Sequence, residues 1–177
     1  MKKMIAFIPV ICLLLLASCQ ALKHITFYQE FHESGTIPQQ TLTSATDSIT
    51  TPDIPTNVAA QLKANNTSPD LVQSVEMQTL TLTITAPAGQ TFAALQDVQL
   101  FILTDSLPAV EIASKHNIIS TSNVLNMDVD ATELKPYLLG NSFKLRYIIT
   151  SRAAVTQSLT LDMYMKVRFQ ANLLAAL

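Results

Sequence analysis

Histidine changes charge near neutral pH and binds metals readily, but the spacing of the three histidines in this chain works against either use. His24 and His32 share parity but stand eight residues apart, about 26 Å along an extended strand. His116 lies in the polar stretch Ser114-Lys115-His116-Asn117. A zinc site needs three or four ligands converging on one point, with histidines or cysteines paired at short spacing. No such pair occurs, so the histidines read as solvated polar residues and no metal or cofactor is expected. Asp128-Val129-Asp130-Ala131-Thr132-Glu133 opens like a calcium loop, but Glu133 stands where an EF-hand needs glycine and Leu139 where it needs glutamate. Its acids suit a helix start instead, with Asp130 as N-cap and Glu133 three residues on, as in a capping box.

Nucleophilic catalysis leaves no mark either, since neither G-x-S-x-G nor S-x-x-K occurs. The expectation is a chain that is not an enzyme, with an envelope hydrolase as the remoter alternative. Recognition chemistry is better represented. There is no tryptophan, and of the four tyrosines Tyr147 falls on an apolar parity, which leaves Tyr28, Tyr137 and Tyr164 to meet a ligand. Tyr164, Lys166 and Arg168 share one parity of the last strand pattern and form the candidate binding face, an aromatic body beside two cations. Asp47-Ser48-Ile49 and Asp105-Ser106-Leu107 resemble the Asp-Ser/Thr-apolar acceptor of O-glycosylated exported proteins in the Bacteroidota. That likeness makes Ser48 and Ser106 candidate acceptors.

The N-terminus carries the most specific pattern. Lys2 and Lys3 form a positive n-region, and Ile5 to Leu16 is an apolar run interrupted only by Pro9, the length of a signal-peptide core and too short to span a bilayer. It ends in Leu16-Ala17-Ser18-Cys19, which resembles the lipobox of bacterial lipoproteins at every position. The resemblance implies cleavage between Ser18 and Cys19, a diacylglycerol on the Cys19 thiol, and usually a third acyl chain on the new amine. Gln20 stands where the inner-membrane retention signal of enteric bacteria resembles aspartate. No acidic cluster like a Bacteroidota surface-export signal follows the cysteine, so the expected address is the outer membrane, facing the periplasm.

The expected organisation is a signal peptide over 1–18, a lipidated N-terminus and tether over 19–23, and a single domain over 24–177. Loss of Lys2 and Lys3 with the leader lowers the 11 basic side chains to 9 against 13 acidic ones, a formal charge of −4. Nothing in that balance attracts nucleic acid. With Cys12 discarded and Cys19 acylated no thiol remains for a disulfide, so stability must come from burial.

Alternation with period two supplies that burial. From Leu159 to Ala171 every odd position is apolar, and Phe143, Leu145, Tyr147 and Ile149 repeat the pattern. His24 to His32 follows it with Gln29 as the exception. Between Leu71 and Thr85 the apolar parity switches from odd (Val75, Met77) to even (Leu80, Leu82, Ile84), which predicts a β-bulge near Gln78-Thr79. Further strands are expected at Val98 to Leu103, Val110 to Ala113, Asn117 to Ser120 and Val124 to Val129, with an edge strand near Ile37 to Leu42. Helical turns are expected at Asn57 to Asn65, after Ser68-Pro69, and within Asp130 to Leu139.

Seven to nine strands without a repeated βα unit predict an all-β fold, an antiparallel immunoglobulin-like β-sandwich with one or two short helices. The plan is similar to small Bacteroidota lipoproteins whose single domain is a β-sandwich. The expected function is a non-enzymatic binding or accessory module, its partners the membrane through the lipid and an envelope protein or glycan. A fimbrial or adhesion-type subunit is the main alternative.

Overall fold

The alternation from Leu159 onward folds as drawn. In a computed structural model, which describes residues 24–40 and 46–173, Leu159–Asn172 is one strand whose odd-numbered side chains are buried from Leu159 to Ala171. The leader, Ser18, Cys19, the tether and Leu42 lie outside the described residues. In chain order the elements are β1 (His24–Ile37), β2 (Thr46–Thr50), β3 (Ile54–Pro55), α1 (Val58–Ala64), β4 (Val72–Ala86), β5 (Leu95–Leu103) and β6 (Val110–Lys115). Then follow β7 (Val124–Asn126), β8 (Asp128–Val129), α2 (Lys135–Leu138), β9 (Ser142–Ser151) and β10 (Leu159–Asn172). Single 3-10 turns at Pro69–Leu71 and Phe92–Ala94 precede β4 and β5.

Two antiparallel sheets pack face to face, as expected. The first runs β1-β10-β4-β7, and the second runs β2-β9-β5-β6-β8 with β3 also on β9. The immunoglobulin-like order is not the one present. An immunoglobulin sandwich places sequence neighbours such as A and B side by side, whereas no two consecutive strands are neighbours in the first sheet, and its longest ladders join β10 to β1 and β4. The first strand beside the last, in a sheet ordered β1-β10-β4-β7 that packs on one ordered β2-β9-β5-β6, is jelly-roll connectivity. Alternation fixes which face of a strand is apolar; it does not choose the neighbour.

Aromatic contacts show how the layers close. Phe27 on β1 stacks on its pairing partner Phe169 on β10, with centroids 5.0 Å apart and planes 10° from parallel. Phe31 meets Phe143 of the opposite sheet edge-on at 5.4 Å. Such pairs are worth about 0.5–1.5 kcal/mol beyond burial. Gln29 is buried among them, and its amide donates to the Thr56 carbonyl, while the Thr56 hydroxyl donates to the Gly140 carbonyl at 2.6 Å. This tie between β1 and the loop before α1 satisfies the amide N–H of the polar exception in an apolar row, while Gln29 Oε1 is buried without a hydrogen-bond partner.

The bulge falls where parity changes. Val167 pairs with Met77 and Lys166 with Thr79, so Gln78 is the extra residue. Both faces of β4 then keep their character on either side of it.

Other expectations are corrected. Asn117 to Ser120 forms no strand: Asn117 takes a left-handed conformation (φ 51°) and Ile119 is 85% exposed. Val124 to Val129 is split at Met127, whose N–H bonds Leu80 in the first sheet, while Asp130 N–H bonds Ile112 in the second. The chain crosses between layers there. The edge strand expected from Ile37 is instead the end of β1, after which Pro38 breaks the ladder and Gln40 makes a lone bridge to Val155. Asp130 does not cap α2, because Leu134 holds that position; Glu133 Oε1 accepts instead from the N–H groups of Lys135 and Val75, each at 2.9 Å.

Candidate binding face

Because β10 lies second from the edge of the first sheet, its even-numbered side chains project from that sheet's outer surface between those of β1 and β4. Three rows cross the surface. His32, Tyr164, Thr81 and Asn126 form one, Glu30, Lys166 and Thr79 the next, and Tyr28, Arg168 and Glu76 the third. The structure thus brings Tyr164, Lys166 and Arg168 together on one face, each half-buried by its neighbours.

Those neighbours hold them. The Tyr164 hydroxyl donates to Glu30 Oε1 at 2.8 Å, and this bond raises the phenol's pKa above its ordinary value. The His32 ring lies 5.1 Å from the Tyr164 ring. Lys166 Nζ sits 4.8 Å over the Tyr28 ring and 4.0 Å from Glu30, a cation–π contact worth about 0.5–1 kcal/mol at an exposed site. The Arg168 guanidinium pairs with the Glu76 carboxylate, while Arg168 Nε is buried without a hydrogen-bond partner. Surface ion pairs of this kind contribute about 0–1 kcal/mol. The network therefore matters more for fixing side-chain positions than for stability, and it leaves Tyr28, 51% exposed, as the most open aromatic of the face.

The remaining candidates are dispersed. His24 and His32 occupy distant positions on the outer face of β1, and His116 lies beyond β6, with Nδ1 3.3 Å from Asp97 Oδ1. Among the described residues no group of three or more His, Cys, Asp or Glu is placed to hold a metal ion. The acids of the 128–133 run also diverge, since Asp128 takes Lys115 Nζ at 2.9 Å and Glu133 secures the start of α2. Tyr137 is buried, and its hydroxyl donates to the Pro108 carbonyl at 3.0 Å, which removes it from the ligand-facing tyrosines.

Ser48 is exposed on the edge strand β2, and Ser106 is exposed in the turn between β5 and β6, where the Thr104 hydroxyl accepts from the Ser106 and Leu107 N–H groups. Their neighbouring acids are occupied, Asp47 by the Gln40 amide and Asp105 by Lys144 at 2.6 Å. The Asp105 bond holds the Lys144 ammonium above its usual pKa. Neither serine adjoins the Tyr164 face.

No family model matches the chain. No curated protein matches it either. Solved structures resemble it in fold at low identity. The "60-mer BFDV Capsid Protein" is 9% identical, with 88% of this chain and 96% of that one covered and a TM-score of 0.46. The Turnip Yellow Mosaic Virus structure determined at 100 K is 15% identical over 87% and 98%, with a TM-score of 0.33. A carbohydrate-binding module "from the beta-sandwich super family" is 11% identical over 81% and 56%, with a TM-score of 0.31. At these scores the likenesses carry no argument about what the face recognises.

Sequence reasoning missed half of the face. Tyr28, Glu30 and His32 were legible as outward residues of β1, but nothing in the sequence placed β1 beside β10. Glu76 was legible as outward once the bulge was placed, yet its pairing with Arg168 needs the β4–β10 register. Also unforeseen was a cavity of about 260 Å³ between the sheets, lined mainly by Ile37, Ile49, Tyr147, Ile149 and Leu161. Beside it the Tyr147 hydroxyl donates to Met163 Sδ at 3.2 Å, and burial pushes its pKa well up.

Proposed function

We propose that this chain is a lipid-anchored protein of the bacterial cell envelope, held at the outer membrane on its periplasmic side, whose sandwich is a non-enzymatic binding module. The observation that carries the binding role is the outer face of the first sheet, where Tyr164, Lys166 and Arg168 are held by Glu30 and Glu76 beside the open ring of Tyr28. Fixed aromatic rings, cations and a row of threonines suit a partner offering hydroxyls, carboxylates and flat apolar patches, as an envelope glycan or protein does. The anchor rests on Leu16-Ala17-Ser18-Cys19. At about 0.8 kcal/mol per buried methylene, two or three acyl chains make attachment to a membrane effectively permanent.

Two experiments test this reading. The variant Tyr164→Ala/Lys166→Ala/Arg168→Ala removes only half-buried, outward-facing groups, so its melting temperature is expected to fall by no more than a few degrees. The envelope partner crosslinked to the wild type should be lost; an unchanged partner set removes this face as the site. Cys19→Ala is expected to abolish incorporation of a fatty-acid analogue and to leave unprocessed precursor, and undiminished label in that variant refutes the anchor.

A further inference from the structure

Sheet edges are sticky, because each presents a row of unpaired N–H and C=O groups, and proteins blunt them with short strands, bulges, proline or lysine. Among the described residues three of the four lateral edges are short: β7 has 3 residues, β2 has 5 and β8 has 2. The fourth is β1, with 14 residues paired to β10 without a single register shift. It contains no proline, no lysine and no bulge, and its one inward-pointing charge is the half-buried Glu33 near its end. Among the described residues no backbone group of β1 bonds to any strand other than β10.

We infer that β1 is an interface for a second copy of this chain, the two β1 strands pairing antiparallel about a two-fold axis through Phe31. The occupant follows from the strand's own sequence. Opposite residues in an antiparallel pair share a face, so buried and exposed rows match only when the numbers of opposed residues add to an even total. With Phe31 on the axis, Glu30 stands opposite the second copy's His32 twice over, acceptor against imidazole. On the same outer face Thr26 meets Thr36, while on the inner face Ile25 meets Ile37 and Gln29 meets Glu33. Moving the axis to Glu30 keeps the two faces in step but opposes Glu30 to Glu30 on the outer face and Phe27 to Glu33 on the inner one, clashes that the Phe31 register avoids.

A two-fold contact of this kind is self-complementary and closed, so it makes a dimer rather than a fibre. The paired strands join both first sheets into one continuous surface of eight strands, with a copy of the Tyr164 face on each side of the axis. The inference does not depend on what that face binds. It does set the stance of an anchored pair: antiparallel pairing puts the two starts of β1 about 46 Å apart, so both tethers reach one membrane only if the strands lie along it.

The test uses the full-length chain in cells and in detergent. Chains carrying Glu30→Cys and chains carrying His32→Cys, differently tagged and co-expressed in an oxidising envelope, should form a mixed disulfide several-fold more than either variant forms with itself. Like residues would sit diagonally, at about 7–8 Å, beyond the usual disulfide span. Cysteine substitutions can disturb the strand, so a second variant reads assembly by sedimentation. Thr26→Lys/Thr36→Lys changes only exposed residues and opposes lysine to lysine twice, which should weaken dimerisation about tenfold. A wild-type chain that sediments as a monomer at every concentration overturns the inference. So does a mixed disulfide no stronger than the self-pairs, or crosslinking only to a different protein.

Discussion

Met165→Asp is expected to unfold the domain. Met165 is fully buried on β10, opposed by Phe31 on one side and Leu80 on the other, so a carboxyl there has apolar neighbours in both strands. Ionised, it would be an uncompensated buried charge; protonated, it still buries a polar group and gives up methionine's packing. Either form costs about 4 kcal/mol or more, comparable to the stability of a typical domain at about 5–15 kcal/mol. Tyr164→Asp, one residue earlier, is expected to remain folded. It loses the hydrogen bond to Glu30, worth about 1 kcal/mol, and sets two carboxylates near each other at a solvated surface. Thermal or urea unfolding of the two variants ranks them directly. If Tyr164→Asp proved the more damaging, the register of β10 would be wrong by one residue and every side chain assigned to that face would belong to the core.

The contrast depends only on parity, and parity is the part of the fold that the chain writes openly. Alternation from Leu159 to Ala171, the run from Phe143 to Ile149 and the odd row of β1 each follow from a local rule, that one side of a half-buried strand must be apolar. Val58 and Leu62 mark the buried side of α1 for the corresponding helical reason. Pairing is different. The partners of β10 lie more than 70 residues away in sequence at every position, and no residue on β10 specifies them locally. Strands can therefore be read without their neighbours, which is how a sandwich was legible while its jelly-roll order was not.

The binding face shows the same division. Tyr164, Lys166 and Arg168 could be grouped because they share a strand, whereas Glu30 and Glu76, which hold them, come from β1 and β4 and are joined to them only by pairing. Tyr137 failed for a related reason. It falls on no apolar strand parity, so nothing local marks it as inward, yet its ring fills the core while its hydroxyl reaches the Pro108 carbonyl, the usual compromise of a buried tyrosine. Asn117 to Ser120 misled because two adjacent isoleucines suggest a strand. Only Ile118 is buried, and Ile119 projects into solvent.

Deletions in β4 should separate the bulge from the regular ladder. Removal of Gln78 is expected to leave the domain folded, within about 2 kcal/mol of the wild type. Met77 would then adjoin Thr79, and the existing pairs Val167–Met77 and Lys166–Thr79 would become consecutive rungs with both faces unchanged, so only the local twist of a bulge is lost. Removal of Thr81 is the opposite case. The least costly repair slides Gln78, Thr79 and Leu80 along by one, consuming the bulge; Thr79 then enters the core opposite Met165 and Leu80, now only 1% exposed, turns out beside Tyr164. Exposing a leucine costs about 1.5–3 kcal/mol, and a threonine hydroxyl buried without a partner costs about 1–3 more. The pairing of Thr81 with Asn126 on β7 also goes. The Thr81 deletion should therefore lose at least about 3 kcal/mol and become protease-sensitive at temperatures where the Gln78 deletion resists. If the Gln78 deletion were as damaging as that of Thr81, the parity change in β4 would not be absorbed at Gln78 and the alignment of the β4 and β10 faces would have to be redrawn.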